Sequence, residues 1–389
     1  MTPLAGVWAD LVGQEDAVSV LQRAAAAADA RQPEAVSGMT HAWLITGPPG
    51  SGRSTAARAF AAALQCPAGG CGGCDACRTS ISGTHADVEI VNTRRLSIGV
   101  DDVRGLVSRA ARYPSGGRWQ VMLVEDADRL TDQAGNALLK AIEEPTPHAV
   151  WLLCAPSSDD VLLTVRSRCR HLSLRTPSTA AVTQVLVRRD GVDEAMAAFA
   201  ARAAQGHIGR ARRLATDEDA RLRRHQVLQL PQQLSELGVA LRAAGDLVAA
   251  ANAEADEQAA TTASAEADDM RRALGVGAGS RNPSGSAAAL KELEQEQKKR
   301  ATRTKRDSID RALIDLAGFY RDVLAVQAGA AVELVNDEMR AAITSLATTS
   351  TAESTLRRID AILAARTAIE ANVAPLLAVE AMTVALGRN

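Results

Sequence analysis

The chain has 389 residues, 47% of them hydrophobic and only 2% aromatic, with a formal net charge of −2. That length implies roughly two or three domains with ample material for a core, and the near-neutral balance excludes a nucleic-acid binder that works through global positive charge, leaving only local patches for such contacts. So few aromatics among so many alanines favour helices with small, close-packed interfaces over a β-rich fold. The start, from Met1 to Asp10, lacks the basic and apolar regions of a secretory signal. No run reaches membrane-spanning length, so a cytoplasmic protein without membrane contact, its six cysteines reduced, is expected.

In chain order, Trp43-Leu44-Ile45-Thr46 is a short apolar run suited to a buried strand, and the Ala-rich stretch from Thr55 to Leu64 has helical spacing. Between them lies Gly47-Pro48-Pro49-Gly50-Ser51-Gly52-Arg53-Ser54-Thr55. This fits a phosphate-binding loop in which glycines turn successive N–H groups inward onto phosphates and a Ser/Thr hydroxyl holds Mg²⁺. One position departs: Arg53 stands where the pattern has lysine. A flat guanidinium fork keeps the charge but not the geometry, which leaves binding of ATP with Mg²⁺ open and impairs γ-phosphate chemistry.

Four cysteines follow within a short span, Cys66, Cys71, Cys74 and Cys77, spaced C-x4-C-x2-C-x2-C with glycines between them. Such spacing lets four thiolates converge on one metal ion, and structural Zn²⁺ is preferred to an iron–sulfur cluster, disulfides or unliganded thiols. A closed four-ligand shell folds a small protruding module and does no chemistry. Cys154 and Cys169 are isolated and read as small buried hydrophobes. Val121-Met122-Leu123-Val124 is a second buried strand that runs into Glu125 and Asp126. An active ATPase of this class ends that strand in Asp, which acts on Mg²⁺, then commonly Glu. Here the order is reversed, and a displacement near 1 Å costs on the order of a hundredfold in rate.

The run from Asn136 to Pro145, then Val150 to Leu153, then Thr164-Val165-Arg166-Ser167-Arg168-Cys169, resembles bacterial clamp-loader subunits of the AAA+ class, and so does a cysteine knot after the first helix. Val12-Gly13-Gln14-Glu15 is similar to their adenine-side box. Within that family, the altered phosphate loop and the Glu-Asp order resemble delta-prime subunits of DNA polymerase III more than the hydrolysing gamma/tau subunits. The resemblance covers residues 1 to about 215. It implies that Arg168 is a trans arginine finger, entering a neighbouring subunit's ATP site; such fingers are worth about 10³ to 10⁵ in rate. It also places the family's small polar sensor at Ala155, which has no hydrogen-bonding group, and its later sensor arginine at Gly209, beside Arg210. His41 and His207 read as ordinary structural histidines.

The resemblance thus implies an α/β AAA+ P-loop core over 1–175 with the zinc knot at 66–77, a small helical lid domain over 176–217, and an all-α C-terminal collar domain over 218–389. From Ala249 to Ala289 acidic, Thr/Ser-rich and Gly/Pro-rich stretches alternate, which predicts a flexible linker at about 250–290. A basic cluster follows at Lys298, Lys299, Arg300, Arg303, Lys305 and Arg306; without interleaved aromatics it reads as a solvated helix face before a DNA contact. Ile309, Leu313, Leu316, Tyr320, Val323 and Gln327 trace one helical face, and Ile359, Ile362, Leu363 and Ile369 another. The expected role is a largely non-hydrolysing scaffold in a hetero-pentameric ring with gamma/tau and delta subunits, part of the DNA polymerase III holoenzyme, that loads the sliding clamp on primed DNA. The rival readings are an active gamma/tau-type ATPase and a zinc-dependent nucleic-acid-binding protein.

Overall fold

The computed structural model describes residues 4–29, 38–91, 97–116, 118–234, 236–273 and 286–387. It divides into two compact units, one ending at Thr216 and one beginning at Asp217.

The first unit is built on a parallel five-stranded sheet of β1 (Ala42–Thr46), β2 (Val88–Val91), β3 (Gln120–Val124), β4 (Ala149–Ala155) and β5 (Arg170–Ser173), in the order β2-β3-β4-β1-β5. α1 (Glu15–Asp29) precedes the sheet; parallel strands require crossovers, and helices supply them: α2 (Arg53–Gln65), α3 (Asp75–Ser82), α4 (Val100–Ala110), α5 (Asp132–Glu143) and α6 (Leu163–Arg166). The three inner strands β1, β3 and β4 are buried throughout, and alternation along them divides their side chains between two cores. Trp43 and Ile45 of β1 join Val150, Leu152 and Cys154 of β4 in one core with α1 and α2. Ala42 and Leu44 join Trp151 and Leu153 in the other, with α4 and α5. Trp43 meets Phe60 of α2 edge to face at 5.3 Å. Three short helices close the unit: α7 (Thr179–Asp190), α8 (Glu194–Ala203) and α9 (Ile208–Thr216). The Ser178 hydroxyl caps α7 by accepting from Ala181 N at 3.2 Å.

The second unit is all helical: α10 (Glu218–Gln229), α11 (Leu237–Ala273), α12 (Ser286–Gln327), α13 (Arg340–Thr349), α14 (Ala352–Glu370) and α15 (Pro375–Gly387). The predicted face of α12 is its core face, with Ile309, Leu313, Leu316, Tyr320 and Val323 all buried. On α14, Ile362 and Ile369 are buried but Leu363 is 45% exposed, one residue round the helix from the inward stripe.

The linker expected at about 250–290 is corrected over most of its span. Residues up to Ala273 continue α11, and α12 begins at Ser286; 274–285 lie outside the described residues. Alanine, glutamate and glutamine are strong helix formers, and pairing with α12 does the rest. Ala251 and Ala255 are buried, Gln297 donates to Ala263 O at 3.2 Å, and Lys305 pairs with Asp256 at 2.9 Å. The basic cluster is partly neutralised within the chain, since Lys298 also pairs with Glu294 and Arg303 with Asp307. The side chains of Lys299 and Arg300 lie outside the described residues. Among the described residues no helix is long and apolar enough to cross a membrane.

Candidate functional site

The phosphate loop leaves the C-terminal end of β1 and enters α2. Gly50 has φ +85°, and an added Cβ would lie 2.5 Å from both Cα and Cγ of His207, so glycine is required by conformation and by space. Gly52, at φ +92°, occupies the N-cap of α2 without a side-chain cap, which leaves first-turn N–H groups directed at the loop's interior. Ser51 is 2% exposed, and its hydroxyl has no hydrogen-bond partner. A buried donor of that kind fits a phosphate oxygen. Gln14 holds the loop from behind, its amide donating to Ser51 O at 3.1 Å and to Arg175 O at 2.6 Å while its oxygen accepts from Arg175 N at 3.1 Å.

Two charged side chains near the loop are engaged within the chain. Arg53 folds back and donates to the carbonyl of Gly47. Glu125, at the end of β3, is paired with Arg58 of α2, Nε to Oε1 at 2.8 Å, with side-chain exposures of 26% for the arginine and 12% for the glutamate. Asp128, just beyond Asp126, has its carboxyl raised above the usual range by burial, with the charge of Asp126 adding to it. Ala155 ends β4 fully buried and offers only a methyl group there. His207 has a structural role, packing on Gly50 and accepting from Arg210 N at 3.2 Å through Nδ1.

Arg168 lies elsewhere. It precedes β5, whose Arg170 is in register with Trp43, whereas the phosphate loop follows Thr46, in register with Ser173. The two therefore sit at opposite ends of the parallel strands, roughly 10 Å or more apart. Arg168 is exposed; its Nε donates to Glu143 at the end of α5, and one terminal nitrogen donates to Thr164 O at 2.9 Å and Ser167 Oγ at 3.2 Å.

The four cysteines converge, with all their Sγ atoms within 4.8 Å of one another. Cys66 terminates α2, Cys74 is the N-cap of α3, and Cys77 lies within α3. The Cys66 Sγ is 3.7 Å from those of Cys71 and Cys74, and N–H groups of Ala68 and Cys71 approach it at 3.4 and 3.5 Å. Burial works against ionising Cys66, but the amides of Cys71, Gly70 and Ala68 outweigh it and bring the thiol down to about 6. Cys77 is pushed up by burial and by the neighbouring Cys74 and Cys66 thiols. A group with this donor set could hold a metal ion. The knot does not protrude freely as expected. Cys66 and Cys77 belong to the core, and Val7 N donates to Gly70 O at 3.1 Å, since the Gly6–Trp8 turn packs against the knot. Burial also raises the thiols of Cys154 and Cys169, the latter to about 12, as befits inert packing groups.

A family model described as DNA polymerase III, delta subunit, matches residues 16–178. Over that stretch the chain is similar to clamp-loader subunits of DNA polymerase III. The DNA polymerase III subunit delta' of Pseudomonas aeruginosa is 37% identical over 154 residues, 38% of this chain and 47% of that protein. The gamma/tau subunit of Mycobacterium tuberculosis is 32% identical over 209 residues, 51% of this chain and 35% of that protein. The matches thus span less than half the length of these relatives. The Thermotoga maritima RuvB Holliday junction branch migration motor aligns at 19% identity over 56% of this chain and 63% of that one, at a TM-score of 0.37, too distant to add to the assignment.

Arg58, Gln14, His207 and Glu143 are the site residues that sequence reasoning missed or gave no such role. The one available signal was Arg58's place four residues after Ser54, on the same helix face.

Proposed function

We propose that this clamp-loader subunit is of the delta-prime kind: a largely non-hydrolysing member of a ring with gamma/tau and delta subunits that lends Arg168 to a neighbour's ATP site while the sliding clamp is loaded on primed DNA. The observation that carries this reading is the engagement of Arg53 and Glu125 within the chain, with Gly47 O and Arg58. The position of Arg168 at the far end of the strands supports action in trans, since its own phosphate loop is out of reach. The lid reading of α7–α9 and the collar reading of α10–α15 belong to the same proposal.

Zn²⁺ is the ion we assign to the knot. A tetrahedron of thiolates at about 2.3 Å from one zinc spaces the sulfurs about 3.8 Å apart, and the 3.7 Å separations fit. When bound, such an ion supplies folding energy and no reactivity. Cys66, Cys71, Cys74 and Cys77 would hold it.

The gamma/tau matches extend over more residues than the delta' ones, 209 against 154, and this favours the active ATPase as the second reading. Steady-state hydrolysis by the purified chain, with and without primed DNA, separates the two. Our reading expects negligible turnover together with stable co-purification with gamma/tau and delta subunits. Turnover of about 1 s⁻¹ or more, in the ordinary enzymatic range, and abolished by Arg53→Ala, would transfer the assignment to the active type.

A further inference from the structure

Arg58 joins two regions that the proposed function treats separately. On α2 it lies four residues after Ser54, the residue that a phosphate loop uses to hold Mg²⁺. With a rise of about 1.5 Å per residue, that puts it about 6 Å further along the same helix face. Its Nε takes Glu125 at 2.8 Å, and one terminal nitrogen donates to Ile81 O at 2.9 Å. That carbonyl is in the last turn of α3, which carries Cys77 and ends at Gly83 in the left-handed conformation. Arg58 is thus a cation at a helix C-terminus, where the aligned carbonyls favour it, and is held in place from the cysteine-knot side. Glu125 occupies the position from which a phosphate-loop enzyme directs its first carboxylate at Mg²⁺. Its additional methylene reaches the guanidinium, and the charge-assisted bond is strong where both groups are mostly buried.

We propose that Arg58 is a positioning residue that draws Glu125 about one helical turn away from Ser54, so that nucleotide binds this site without gaining affinity from Mg²⁺. This rests on reading residues 47–55 as a nucleotide loop. It is independent of Arg53, which donates to Gly47 O and not to Glu125. Replacing Arg53 alone would therefore not restore a metal site.

The test is equilibrium binding of a fluorescently labelled, non-hydrolysable ATP analogue to the full chain, titrated with Mg²⁺ present and with Mg²⁺ chelated. The wild type should show the same affinity in both conditions. Arg58→Met should bind about tenfold more tightly with Mg²⁺ than without, Arg58→Lys should stay nearer the wild type because it keeps a cation for Glu125, and Arg58→Met with Glu125→Gln should lose the Mg²⁺ effect again. Arg58→Met that does not fold, judged by circular dichroism, is replaced by Glu125→Gln alone, which should leave binding unchanged in both conditions. The proposal is overturned by wild-type affinity that already depends on Mg²⁺, by an Arg58→Met chain with no Mg²⁺ effect, by an effect that survives Glu125→Gln, or by no analogue binding to either chain. Co-purification with gamma/tau subunits is a separate readout, so the clamp-loader reading and this one can fail independently.

Discussion

Arg224→Met should destabilise the second unit by about 3 kcal/mol or more, the usual cost of removing one partner from a buried ion pair. Arg224 is 5% exposed. Its Nε donates to Asp315 at 3.1 Å, and its terminal nitrogens donate to Glu338 and to Asn336 Oδ1. Asn336 in turn donates to Asp322, which is fully buried, through its backbone at 2.8 Å and its side-chain amide at 2.9 Å. One guanidinium thus ties α10 to α12 and to the segment before α13. Without it, Asp315, itself 6% exposed, keeps its burial and loses the guanidinium bonded to it. The exposed pair Arg357–Glu353, with side chains 60% and 82% exposed, supplies the contrast: Arg357→Met should cost only about 0.5 kcal/mol or less. Two units make a single unfolding midpoint ambiguous, so native-state hydrogen exchange at the amides of Leu313, Leu316 and Val323 is the assay. The four tryptophans, Trp8, Trp43, Trp119 and Trp151, all lie in the first unit, and their native emission reports that the rest of the chain is folded. Asp315→Asn added to Arg224→Met should recover part of the loss. A cost for Arg224→Met no larger than that for Arg357→Met would refute the argument from burial.

Three further outcomes are expected. Elemental analysis should find about one zinc per chain, and Cys74→Ser should lower both metal content and melting temperature, because binding energy at a structural site is folding energy; metal-free protein of unchanged stability would reduce the knot to a loop. Arg168→Ala should leave folding and ring assembly intact, since the residue is exposed, and should depress the DNA-stimulated ATPase of the assembled complex, with the loss diluted by its other sites. Wild-type turnover in that complex would withdraw the finger assignment. Gly50→Ala should cost at least about 2 kcal/mol, because a left-handed conformation is unfavourable for alanine and its methyl would overlap His207; thermal denaturation of the first unit by tryptophan fluorescence measures it.

What could be read directly from the sequence was local. The strand, loop and helix around residues 43–65 and the cysteine spacing each lie within one short stretch, and hydrophobic periodicity marked the buried face of α12 through Tyr320 and Val323. What escaped depends on partners far along the chain. Glu125 and Arg58 are 67 residues apart, and Gln14 and Arg175 are 161 apart; nothing in either local stretch specifies the other. Composition misled where pairing decided the outcome, as along α11, where buried Ala251 and Ala255 keep helical a stretch that reads as a linker.

The persistence of the phosphate-loop pattern beside altered charges has a physical cause in these distant contacts. Gly50 is needed because His207 leaves no room for a Cβ, and the Ser51 carbonyl is fixed because Gln14 bonds it and Arg175 together. Those constraints act on the folded chain whether or not a phosphate is bound. No comparable packing constraint holds position 53 to lysine: Arg53 finds Gly47 O, and Glu125 finds Arg58. Gly47 and Gly50 report on packing between the loop, the segment after β5 and the turn before α9, while the charged positions report on phosphate chemistry. The shape of the loop can therefore be held independently of its charged positions. The expected cost of Gly50→Ala follows from that division, since it should appear in full in nucleotide-free protein, and a cost seen only with nucleotide bound would return the glycines to a phosphate-binding role.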